Sequence, residues 1–122
     1  MSPAHLEFGQ RVRELREAKR KTDPAFSLRR FAQSVDISAA FLSKVEMGEA
    51  LPPKAEKIKK MAELLGVNPD ELLALAGKVD PQLPEIIRER PHAMADFLRT
   101  ANEELTDDQI RELTRRMKEG NF

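Results

Sequence analysis

Ser27-Leu-Arg-Arg-Phe-Ala-Gln-Ser-Val-Asp-Ile-Ser-Ala-Ala-Phe-Leu-Ser-Lys-Val-Glu-Met-Gly48 is the stretch whose reading decides the fold. Ser27 is a good helix N-cap, and behind it Leu28, Phe31, Ala32 and Val35 recur at i, i+3, i+4 and i+7, the apolar stripe of a short helix. Ser38 caps a second helix that runs to about Met47 and stops at Gly48. Only Asp36, Ile37 and Ser38 separate the two. A turn that short makes the helices cross and pack. Phe31, Val35, Leu42 and Val45 are the expected buried contact, and Ala32 is small where the helices meet, so the second can approach the first closely.

Working outward, helix signals continue on both sides. Ser2 and Pro3 read as the N-cap and first position of an opening helix. Its apolar residues Phe8, Val12 and Leu15 recur at helical spacing, with Arg11, Arg13 and Arg16 between them. That helix should fade near Arg20, because Pro24 disfavours α geometry at Asp23. Downstream, Leu51-Pro52-Pro53 is an extended connector. A fourth helix is expected from Lys54 to Leu65, with Ile58, Met61, Ala62 and Leu65 on one face. Asn68-Pro69-Asp70-Glu71 opens a fifth, short and apolar through Ala76 and closed by Gly77. Residues 78–81 read as a hinge. Beyond them helices are expected over 83–90, 93–103 and 106–117, the last opening with a capping box, Thr106-Asp107-Asp108-Gln109. No strand pattern or repeat interrupts this series, so the chain reads as all-α.

Two short helices joined by a three-residue turn have the spacing of a helix-turn-helix, whose second helix presents its outer face to the DNA major groove. Here the sequence resembles the phage-repressor and Cro-type regulators, the xenobiotic-response-element family. Leu15-Arg16-Glu17, Ala32, Ser38 and Leu42-Ser43-Lys44-Val45-Glu46 ending at a glycine carry the likeness, together with the closing run from Leu64 to Leu72. It extends from about Phe8 to Leu75. The resemblance implies a five-helix, repressor-type head over 1–77, with 82–122 left as a C-terminal helical dimerisation extension.

The resemblance also implies roles. Arg16 and Glu46 match a structural ion pair tying the first helix to the end of the recognition helix, the plain alternative being that Glu46 is an exposed carboxylate. Ala39, Ala40, Ser43 and Lys44 stand where bases are read. Lys44 can donate to guanine O6 and N7, while the alanines offer only apolar contact, for instance to a thymine methyl. A solvated helix lysine is the alternative for Lys44. Such a sparse reading head leaves much of the discrimination to DNA shape and backbone contacts. Arg29, Arg30 and Lys54 flank helix starts as phosphate candidates, and Met47 offers its backbone N–H. Three features depart from the family pattern. Leu28 replaces a common phosphate-binding glutamine, Met47 a small polar residue, and the segment Lys21 to Ala25 lengthens the first turn by about five residues. The cluster Lys19-Arg20-Lys21 fits a backbone contact or a solvated loop equally well.

Composition bounds the alternatives. The 122 residues carry 21 basic and 21 acidic groups, but residues 1–66 hold 13 basic against 9 acidic and residues 67–122 hold 8 against 12. A basic front half suits an anionic polymer. Cysteine is absent, which excludes disulfides and thiolate sites. His5 and His92 have no metal-ligand spacing, and no phosphate loop, serine elbow or carboxylate dyad is present, so no enzyme, metal or cofactor is expected. No apolar run nears the roughly 18 residues of a membrane span and none of signal type follows Met1, so a cytoplasmic location without membrane attachment is expected. Leu83, Ile86, Ile87, Met94, Phe97, Leu98, Ile110, Leu113 and Met117 lack an obvious partner within the chain, which points to a homodimer on palindromic double-stranded DNA. The function expected is a sequence-specific transcriptional regulator, most simply a repressor. The alternative is an antitoxin or partner-controlled interaction module that also binds its own promoter, the partner being a toxin or a metallopeptidase.

Overall fold

The computed structural model describes residues 3–121, and among them every regular element is helical. The chain runs α1 (Pro3–Arg20), a 3-10 turn (Pro24–Phe26), α2 (Leu28–Val35), α3 (Ala39–Glu46), α4 (Ala55–Leu65), α5 (Pro69–Leu75), α6 (Gln82–Glu89), α7 (Pro91–Glu104) and α8 (Asp107–Lys118). The all-α expectation holds. The N-cap expected at Ser2 lies outside the described residues. The chain divides into two compact units between Pro81 and Gln82.

The first unit is built on one core. Phe8 and Val12 of α1, Phe31, Ala32 and Val35 of α2, and Leu42 and Val45 of α3 are buried together with Ile58, Met61, Ala62, Leu65, Leu72 and Leu73. Each large side chain so buried contributes about 1.5–3 kcal/mol of transfer free energy. The apolar periodicity of each helix therefore becomes one shared interior. Helix ends follow from local chemistry. Ser27 Oγ accepts from the Arg30 N–H at 3.2 Å, Ser38 Oγ from the Phe41 N–H at 3.0 Å, and Asn68 Oδ1 from the Asp70 N–H at 2.8 Å. Asp36 ends α2 at φ 62°, a left-handed conformation that Asp tolerates better than most residues. On the near side of the division, the Lys78 N–H donates to the Leu73 carbonyl at 2.9 Å, and Lys59 Nζ lies 2.9 Å from Asp80.

Several boundaries differ from the sequence reading by a residue or two. Lys54 is the N-cap of α4 rather than its first residue, and α7 begins at Pro91, whose fixed φ suits a first helical position. The long segment after α1 is not irregular throughout. Asp23 Oδ1 accepts from the Ala25 N–H at 2.9 Å and starts the 3-10 turn, whose last residue, Phe26, stacks on Phe31 with centroids 5.8 Å apart.

In the second unit α6 packs on α7, and the capping box at Thr106 closes reciprocally, with Gln109 Oε1 accepting from the Thr106 N–H at 2.8 Å. No residue of α6, α7 or α8 is buried. Leu83, Ile86, Phe97, Leu98, Ile110 and Met117 are exposed, while Ile87, Met94 and Leu113 are half-buried. Phe97, Leu98, Leu105, Ile110, Leu113 and Met117 line an apolar groove of about 330 Å³ between α7 and α8.

Candidate nucleic-acid interface

The site rests on how α3 is held. Arg16 in α1 is 2% exposed and Glu46 at the end of α3 is 6% exposed. The Arg16 guanidinium donates from Nε to Glu46 Oε2 at 2.7 Å and from Nη2 to Glu46 Oε1 at 2.8 Å, a two-point fork that fixes angle as well as distance. Nη1 donates to the Phe26 carbonyl at 3.1 Å, and Nη2 also reaches Glu17 at 3.1 Å. Among the described residues, no buried side-chain polar atom is left without a partner. The hydrogen bond to Glu46 raises the Arg16 pKa above its ordinary value against the opposing effect of desolvation. The guanidinium therefore stays charged, and α1, the 3-10 turn and α3 are clamped by one side chain.

Two partners in this arrangement escape a reading of the sequence. The Phe26 carbonyl is one, because its role depends on where the lengthened turn returns to α1. The Asp23-Pro24 pair was the available signal, being an Asx cap followed by a first-turn proline. Gly9 is the other. A Cβ built there would stand 2.1 Å from the Val45 carbonyl oxygen, so α1 and α3 touch backbone to backbone at that point. Lys19 lies with Nζ 5.5 Å from the Phe26 ring centroid, so this member of the basic cluster sits over an aromatic face.

The outward row of α3 is free. Ala40 and Lys44 are exposed, Met47 is 52% exposed, and Ser43 is half-buried with its hydroxyl 4.0 Å from Met47 Sδ. Ala39 is half-buried and packs partly against the core, so its methyl is less presented than that of Ala40. Arg29 and Arg30 are exposed in the first turn of α2, and Lys54 is exposed at the start of α4 with no side-chain cap bond. These placements run against helix electrostatics, since the positive end of the macrodipole favours acidic residues by about 0.3–1 kcal/mol each. The rule is obeyed elsewhere: α5 opens with Asp70 and Glu71, and α8 with Asp107 and Asp108. Arg29 and Arg30 share the first turn of α2 with no acidic residue, whereas Lys54 at α4 is followed by Glu56, and in the second unit Arg90 is the N-cap of α7. Among the described residues no group of three His, Cys, Asp or Glu side chains is placed to hold a metal, and no helix is long and apolar enough to cross a membrane.

A pair of short crossing helices, the second with a free outer face and a pinned inner one, defines a helix-turn-helix protein. The chain belongs to the helix-turn-helix domain family, whose model matches residues 7–75, in the Cro-type class that its sequence resembles. Two curated relatives come from Bacillus subtilis (strain 168). An uncharacterized HTH-type transcriptional regulator, RghRB, is 42% identical over 89 residues, which cover 73% of this chain and 57% of that protein. The HTH-type transcriptional repressor RghR is 34% identical over 73 residues, covering 60% of this chain and 50% of that protein. The chain thus spans about half the length of these relatives. No solved structure matches it.

Proposed function

We propose that the chain is a sequence-specific DNA-binding transcription regulator, a repressor that acts as a homodimer on a palindromic operator. The observation that carries this reading is the reversal of charge at the start of α2, where Arg29 and Arg30 share a first turn with no acidic residue, together with exposed Lys54 at the N-cap of α4, whose first turn also holds Glu56. A folded chain gains nothing from Arg29, Arg30 and Lys54 beside the positive ends of their own helices, whereas an approaching phosphate gains from both at once. With those ends on the backbone, α3 lies in the major groove with Ala40, Ser43 and Lys44 toward base edges and Ala39 at its margin. The Met47 N–H is engaged by the Ser43 carbonyl at 3.1 Å, so its part is a thioether contact on the groove wall rather than a free donor. Dimerisation through the apolar faces of α6, α7 and α8 brings two heads to half-sites about one turn apart, roughly 34 Å. The name of the relative RghR agrees with the repressor reading.

The test is a mobility shift with the duplex upstream of the protein's own gene, set against a shuffled duplex, with a reporter on the same promoter. Specific retardation and lower reporter output with the protein present are expected. Equal affinity for both duplexes removes sequence specificity. Higher reporter output turns the repressor into an activator.

A further inference from the structure

We infer that a groove on the first unit, between α1 and α3, takes one phosphate of the DNA backbone, gripped by Arg13 and Arg20; the inference rests on the DNA-binding reading above. The groove has a volume of about 280 Å³, and its floor is the Arg16–Glu46 pair. Arg13 and Arg20 stand on the α1 side, Ser43 and Met47 on the α3 side, and Leu28 on the rim. The Arg16 guanidinium is committed to Glu46, Phe26 and Glu17 and offers nothing to a ligand. Arg13 is different. It is exposed and makes no hydrogen bond or ion pair among the described residues. Arg20 has only a 3.6 Å pair with Glu17, which Arg16 already shares at 3.1 Å. An exposed pair of that length holds weakly. The groove therefore contains three guanidiniums against two carboxylates, and two of those guanidiniums are available.

Planar, fixed donors of this kind match the oxygens of a phosphate better than those of a neutral ligand. The polymer backbone is favoured over a free nucleotide by two features. No aromatic side chain lines the groove, so a nucleobase would find no stacking surface. Its α3 wall is made by Ser43 and Met47, which also belong to the outward row of the recognition helix, so an anion held here lies directly beside that row. Leu28 supplies no hydrogen bond on the rim, which leaves the grip to α1.

The experiment measures anisotropy of a labelled duplex from the upstream region with the full chain, over a range of salt. Arg13→Gln and Arg20→Gln should each lower the log–log salt slope by about one unit, and the double variant by about two, with melting temperature unchanged. Arg11→Gln is the control: Arg11 lies on α1 outside the groove, 3.7 Å from Glu14, and its loss should leave the slope alone. A methylphosphonate scan of the duplex gives the second readout. One neutralised linkage in each half-site should weaken the wild-type complex and have no further effect on the double variant. A slope unchanged in the double variant, with DNA still bound, overturns the inference while sparing the functional reading. Inorganic phosphate that shifts the Arg13 and Arg20 side-chain resonances, with that slope still unchanged, makes the groove a free-anion site and overturns it too. Wild-type protein that binds no duplex removes the functional reading, and this inference with it.

Discussion

Gly9→Ala sets two effects of opposite sign against each other, and the structure decides between them. In an isolated helix the change is favourable by about 1 kcal/mol, since Gly loses more backbone freedom than Ala on becoming helical. In the folded chain the new Cβ would stand 2.1 Å from the Val45 carbonyl oxygen, 2.9 Å from that of Glu46 and 3.0 Å from the Glu46 carbonyl carbon. All three are backbone atoms and none can swing aside as a rotamer. An ordinary carbon–oxygen contact is about 3.3 Å, so from 2.1 Å the end of α3 has to retreat by roughly 1.2 Å. A retreat of that size takes the 2.7 Å Arg16–Glu46 bond out of hydrogen-bond range and loosens the packing of Phe8 and Val12 on Val45. Overpacking alone costs about 1–3 kcal/mol, and breaking a buried pair outright costs about 3–5 kcal/mol. With part of each incurred and helix propensity credited, the expected net loss is about 2–4 kcal/mol.

Urea unfolding followed by far-UV circular dichroism measures this, because the chain has neither Trp nor Tyr as a fluorescent reporter. Amide exchange in α1 and α3 confines the effect to the first unit. Faster exchange at Leu42 and Val45, with the second unit unaffected, is expected. A variant as stable as the parent, or more so, refutes the close-approach reasoning, since propensity would then be the larger effect.

Three further outcomes follow. Lys44→Ala should cost about 1–3 kcal/mol on the preferred duplex and much less on a shuffled one, measured by anisotropy; equal losses make Lys44 a backbone contact or a bystander. A chain ending at Pro81 keeps the Lys59–Asp80 pair and should remain helical and monomeric by light scattering, with only weak, non-specific DNA binding left; a fragment that dimerises moves the interface into the head. The Glu112 carboxyl is held below the ordinary carboxylate range by its hydrogen bond from Arg115. That depressed value means support for α8 is present above the ordinary Glu pKa and lost as pH falls through the lower one. Amide protection in α8 should therefore drop on acidification, and Glu112→Gln should flatten the dependence.

How much of this was legible in the sequence depends on the range of the interaction concerned. Ser27, Ser38, Asn68 and Thr106 announce helix starts because a cap is a local bond spanning two or three residues. Phe31, Ala32, Val35, Leu42 and Val45 are readable because burial imposes the helical period on one face. Arg16 and Glu46, 30 residues apart, have no such period, and only the family resemblance paired them. Gly9 and Phe26 were out of reach for a related reason. A glycine inside a helical pattern reads as a weak point until another backbone is known to lie against it, and the Asp23-Pro24 signal marks a turn without saying which side chain its last carbonyl meets. Lys54 and the arginines of α2 were legible as basic residues near helix starts. Their meaning depended on the boundaries, which decide whether a charge stands at a macrodipole or a turn away from it.

The buried pair itself raises a question of purpose, because charge is an expensive way to join two helices. Apolar residues of similar volume in place of a buried ion pair are often neutral or stabilising by about 1–4 kcal/mol, while loss of one partner costs about 3–5 kcal/mol. What the pair adds is direction. Its two bonds of 2.7 and 2.8 Å resist rotation of α3 about its own axis, which an apolar contact permits. Lys44 and Ser43 lie two and three residues before Glu46 on the same helix, so any such rotation swings the reading face across the bases. The raised Arg16 pKa keeps the guanidinium side of the pair charged into alkaline solution: its stabilisation is complete below the ordinary Arg value and is lost only as pH rises through the higher folded one. Glu46→Ala alone should therefore destabilise strongly. Arg16→Met combined with Glu46→Leu should restore or exceed the parent's stability in urea and keep non-specific DNA binding. It should still give up about 1–3 kcal/mol of discrimination between operator and shuffled duplex, the worth of one good base contact. A double variant that is stable and fully discriminating would show that packing alone aims α3, and would leave the buried charges without a part in recognition.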